Sequence, residues 1–153
     1  MSKVLTDKDI ENGNKLIAEF MVPNWESLKD GNYLSVESFG LDLITATCLC
    51  AGDYSQFRYH VSFDSLFRVI EKIEDIDGGL SYFITLSGHL CIIKYIQNIY
   101  SDDDELVVEY SGLDSDSKIQ NYWCAIVEFI KYYNKILYDQ DVLRDNKLKE
   151  LGL

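Results

Sequence analysis

Apolar residues recur along this chain at two periods, one of helices and one of strands. Ile10, Leu16, Ile17, Phe20 and Met21 fall mostly on one helical face. Phe63, Leu66, Phe67, Ile70, Ile73 and Ile76 repeat the spacing, with Val69 beside them. Ile119, Trp123, Ile126, Val127, Ile130, Tyr133 and Leu137 make the longest stripe, over about five turns at the helical repeat. Three helices are predicted. Thr6 caps the first ahead of Asp7 and Asp9, Gly13 weakens it, and Pro23 ends it. Ser62 caps the second, Asp64 suits its positive end, and Gly78-Gly79 stop it near residue 76. Lys131 and Lys135 suit the negative end of the third. Beyond Tyr138 charges alternate without a strong face, so 138–153 is expected as a short helix or a loosely packed tail.

Strand signals lie between these helices. Tyr82–Leu86, a turn at Ser87-Gly88, and Leu90–Tyr95 predict a hairpin. An exposed acidic loop, Asp102-Asp103-Asp104-Glu105, leads into a strand at Leu106–Tyr110. Residues 24–60 read as extended: Asp30-Gly31-Asn32 turns the chain, Tyr33–Glu37 is strand-like, and Gly40 breaks the run. Leu41–Cys50 suits a strand buried on both faces, and periodicity leaves a buried helix equally open. The whole predicts one α+β domain over residues 1–153. Its sheet is small, antiparallel or mixed, of three to five strands, packed by about three helices on one face or both.

Charge narrows the partners. Fourteen basic against 26 acidic side chains give a net charge of −12. That balance disfavours phosphate backbones and anionic membranes, and leaves a solubilising surface or docking onto a basic protein. The first residues carry no apolar run of signal-peptide length, so a cytoplasmic setting is expected. There Cys48, Cys50, Cys91 and Cys124 are reduced thiols packed as small hydrophobes.

Candidate chemistry adds little. On strands, Cys48-x-Cys50 and His89-x-Cys91 would each offer two soft ligands on one face, although structural zinc favours wider spacing. A thiol nucleophile would need His60 or His89 close by and a third group to orient it. G-x-S-x-G, G-x-x-x-x-G-K and G-x-G-x-x-G are absent from the sequence. The expectation is a non-enzymatic protein without metal or cofactor.

Three stretches carry a family resemblance. They are Asn14–Met21; Tyr59–Leu66 with Val69–Glu74; and Lys118-Ile119 with Ala125–Asn134. Together they resemble small bacteriophage and prophage proteins of the phage ABA (α-β-α) sandwich type, in which a small sheet lies between helices. The resemblance implies a phage accessory protein and no particular reaction. The segment 24–58 is longer than that pattern requires, and an enlarged segment is where a specific role can be added. Its aromatics Tyr33, Tyr54, Phe57 and Tyr59, with the acidic Asp102, Asp103 and Asp104, form the predicted interaction surface. The expected partner is a host or defence protein. The alternative is a signalling nucleotide, its base stacked on tyrosine and its phosphate held by Arg58, Lys94 or Lys131. The oligomeric state is left open by the sequence.

Overall fold

The computed structural model describes residues 5–30, 42–96, 104–111 and 117–152. Helix α1 spans Asp7–Met21, and its start is a reciprocal cap. The Thr6 hydroxyl accepts from the Asp9 amide at 3.1 Å, and the Asp9 carboxylate accepts from the Thr6 amide at 3.0 Å. Pro23 follows its end, and Trp25–Asp30 forms a 3-10 turn. Helix α2 is Leu43–Ala51, α3 is Phe63–Glu74, and strands β1 (Tyr82–Ser87), β2 (Leu90–Ile96) and β3 (Asp104–Ser111) precede helix α4, Lys118–Glu150.

The sheet is antiparallel throughout, in the order β1-β2-β3. A two-residue turn, Gly88-His89, joins the hairpin, and Gly88 takes φ +58°, a conformation glycine reaches without cost. Tyr82 faces Tyr95, Ile84 faces Ile93 and Leu86 faces Cys91 across the β1–β2 pair. Cys91 and Ile93 continue that row to Tyr110 and Val108 of β3, before a bulge shifts the register. These side chains join the core. The alternate positions point away from it: Phe83 and Leu106 are each 52% exposed. Among the described residues the helices that touch the sheet, α3 and α4, meet its core face, so the layering is helix on sheet and the far face lies open.

Helix α4 explains the size of the core. Residues 121–127 are all buried, as are Phe129 and Ile130, so this stretch is enclosed on every side rather than along one stripe. The sheet packs on one side of it, with α1 and α3 on others. The sequence stripe marked only the positions most regularly apolar.

The α+β class and the small antiparallel sheet stand as expected, and two expectations are corrected. Residues 24–60 are not extended where described: a 3-10 turn, α2 and a second 3-10 turn at Tyr54–Gln56 occupy them. Leu43–Ala51 is helical because it is buried on one side only. Ala46 and Leu49 point inward while Ile44 is 76% exposed, and Thr47 donates to its own turn at Leu43 O, 2.7 Å away. Tyr33–Glu37 lies outside the described residues. The segment after Tyr138 is no frayed tail, since α4 continues through Glu150 with every residue from Asp139 on exposed.

Candidate functional site

A groove of about 660 Å³ opens where α1 ends, and four elements wall it. Glu19 and Phe20 come from the last turn of α1, Trp25 and Glu26 from the 3-10 turn after Pro23, Lys72 and Asp75 from the end of α3, and Tyr133 and Leu137 from α4. Pro23 cannot continue the helix, which throws Trp25 back against the body. The floor is aromatic: Phe20 meets Tyr133 edge to face, with ring centroids 6.1 Å apart.

Among the described residues the groove's one ammonium is already engaged. Lys72 Nζ donates to Met21 O at 2.7 Å, closing an orphan carbonyl at the end of α1, and lies 5.4 Å from the Phe20 ring centroid. Burial lowers its pKa, against the raising influence of Asp42. Three carboxylates, Glu19, Glu26 and Asp75, line the rim. Glu19 pairs with Lys15 at 3.7 Å in the open, where such pairs are weak. Glu26 and Asp75 make no ion pair among the described residues. The site is thus an aromatic slot with a negative rim. It offers cation–π faces and charge-assisted acceptors, the chemistry that receives lysine or arginine side chains.

A buried polar junction holds α1 against the neighbouring segment. Asn14, 2% exposed, accepts from Trp123 Nε1 at 2.9 Å through its oxygen. Indole only donates, so this bond fixes the amide's orientation and turns its nitrogen toward Phe57 O (3.3 Å) and His60 Nδ1 (2.9 Å). His60 Nδ1 must then accept, which leaves the ring proton on Nε2. Burial first, and Arg58 second, lower the His60 pKa.

The predicted interaction surface divides. Tyr54, Phe57 and Tyr59 do come together, with centroids 6.3 Å and then 5.9 Å apart. Phe57 and Tyr59, however, are core residues at 7% and 8% exposure, and only Tyr54 is half open. Their chain is pinned inward by the Asn14 bond to Phe57 O. Tyr33, Asp102 and Asp103 lie outside the described residues, while Asp104 opens β3 opposite Ile96. The nucleotide cations do not converge either. Arg58 borders one pocket, Lys131 pairs with Glu128 at the mouth of another, and Lys94 sits in mid-sheet on β2.

The metal reading loses its premise. Cys48 and Cys50 lie on a helix, where residues two apart face apart, and Cys50 Sγ donates to Trp25 O at 3.6 Å. His89 is in the hairpin turn, and burial pushes the Cys91 thiol up to about 12. Among the described residues no three His, Cys, Asp or Glu side chains are grouped to hold a metal ion.

Sequence reasoning missed Trp25, Glu26 and Asp75, because the groove joins residues about 50 and 110 positions apart and no local spacing links them. Compared with known proteins, the chain matches no family model, no curated protein and no solved structure. Among the described residues no helix is long and apolar enough to cross a membrane.

Proposed function

We propose that this is a non-enzymatic binding protein that seats a basic segment of a protein partner in the groove between α1, α3 and α4. The observation that carries the reading is the aromatic floor under three rim carboxylates, with the one ammonium of the wall among the described residues, Lys72, already spent on Met21 O. A lysine or arginine of the partner would lie along the aromatic wall, displacing Lys29 from its place 4.6 Å from the Trp25 ring centroid, while its charge meets Glu26 and Asp75. The volume falls within the range of about 300–1,000 Å³ typical of ligand clefts. The overall −12 charge would speed the encounter. A phage accessory role, with a host or defence protein of the bacterial cytoplasm as the partner, belongs to this proposal on the family resemblance in sequence, although among the described residues helices cover the sheet on one face only and not both.

Titration with an arginine-rich peptide, followed by tryptophan fluorescence with Trp25→Phe as the control for the Trp123 signal, tests this. Glu19→Gln, Glu26→Gln and Asp75→Asn together should abolish the response. Neutralising Asp139, Asp141 and Asp145, which are exposed on the far end of α4, should leave most of it. Equal losses from the two triple variants would reduce the binding to net charge and end the proposal.

A further inference from the structure

We infer that a second pocket, walled by Arg58, Tyr59 and Arg68, is an anion site that takes the phosphate group of a small phosphate monoester. It shares no lining residue with the groove and is independent of it. The chain is short of cations, yet two guanidinium groups border this one cavity of about 220 Å³. Lys15, Lys131 and Arg144 stand in ion pairs, Lys72 on a carbonyl, and Lys29 4.6 Å from the Trp25 ring centroid, whereas Arg58 and Arg68 line the same cavity. Arg58 and Arg68 make no ion pair among the described residues. Two planar forks match the geometry of phosphate oxygens better than point charges do.

The rest of the wall agrees with that chemistry. Ser65 and Arg68 are three residues apart on α3, hence on one face of it. Ser65 adds a hydroxyl donor, and Thr45 and the Tyr59 phenol, which are hydrogen-bonded to each other, add further polar groups beside the apolar Met21, Ile44, Cys48 and Phe57. Thr45 also belongs to the first turn of α2, whose cap residue Asp42 makes no side-chain bond to the helix's free N–H groups. The first turn of α2, uncapped by Asp42, thus contributes Ile44 and Thr45 to the cavity wall. Among the described residues Asp42 is the one carboxylate on the wall, and it opposes an anion. The volume is smaller than the roughly 300 Å³ at which clefts hold whole drug-sized ligands, so it suits a phosphate group with the remainder of the ligand outside.

The test uses inorganic phosphate and glycerol phosphate as probes, by calorimetry and by amide chemical shifts. Both should bind at one shared site, shifting the amides of Thr45, Ser65 and Arg68. Arg58→Ala and Arg68→Ala should each weaken binding about tenfold, and Arg68→Lys should fall between. Arg144→Ala, a remote exposed change, should have no effect. Asp42→Asn should tighten binding about threefold by removing the opposing charge. Both guanidinium groups are exposed, so an unchanged thermal midpoint shows that the variants fold. No binding by about 10 mM probe overturns the site, as do arginine variants that titrate like the parent. Binding of free phosphate without the ester overturns the monoester assignment.

Discussion

Replacing Gly13 with alanine sets two effects of opposite sign against each other. Taken as a helix interior position alone, alanine should gain about 1 kcal/mol over glycine. In the folded protein, however, a Cβ at this position would sit 2.2 Å from Trp123 Cζ2, 2.5 Å from Cη2 and 3.2 Å from Val127 Cγ2. The indole must retreat by more than an ångström to reach ordinary contact. It has nowhere easy to go: Trp123 is 2% exposed, in the buried N-terminal part of α4, and its Nε1 is tied to Asn14. Overpacking of this kind costs about 1–3 kcal/mol, and displacing the indole also strains a buried hydrogen bond worth about 1 kcal/mol. The net expectation is a loss of about 2 kcal/mol, or a melting point lower by about 4–8 °C for a chain of this size. Urea unfolding followed by circular dichroism measures it. In the Trp123→Phe background, which lacks the outer indole atoms, the same glycine substitution should cost much less. A Gly13→Ala protein as stable as the parent, or more so, would refute the packing argument.

Asn14→Ala should destabilise by about 3 kcal/mol, because it leaves the Trp123 N–H and the Phe57 carbonyl buried without partners; a change under about 1 kcal/mol on denaturant titration would deny the junction its role. The His60 pKa is lowered in the fold, so the unfolded chain takes up its proton first as pH falls. Stability should therefore be complete above about pH 6.5 and drop as pH falls from there through the lowered folded value. His60→Gln should remove that part of the slope, and identical pH profiles would count against it. Burial pushes the Cys91 thiol up to about 12, so a thiol reagent should modify half-buried Cys48 and Cys50 of the native protein and spare Cys91 until unfolding. Ending the chain after Tyr138 removes only exposed helix, so helical signal should fall while the unfolding midpoint shifts by less than about 0.5 kcal/mol.

Local signals determined much of the framework. The Thr6 cap, the break at Pro23, the Ser62 start and the hairpin of β1 and β2 all rest on neighbours within a few residues, and such interactions are encoded where they act. The apolar stripe of α4 likewise announced a helix, though not that residues 121–127 would be enclosed on every side. What surrounds a side chain depends on elements distant in sequence. That is why Leu43–Ala51 could be read two ways: its burial on one side is set by α1 and the first 3-10 turn, not by its own pattern. It is also why Phe57 and Tyr59 suggested a surface and proved to be core, and why Gly13, a weak point in an isolated helix, is the residue that admits Trp123. The groove and the anion pocket were invisible for the same reason. Each is assembled from three or more segments, and only the tertiary packing decides which charges and rings meet.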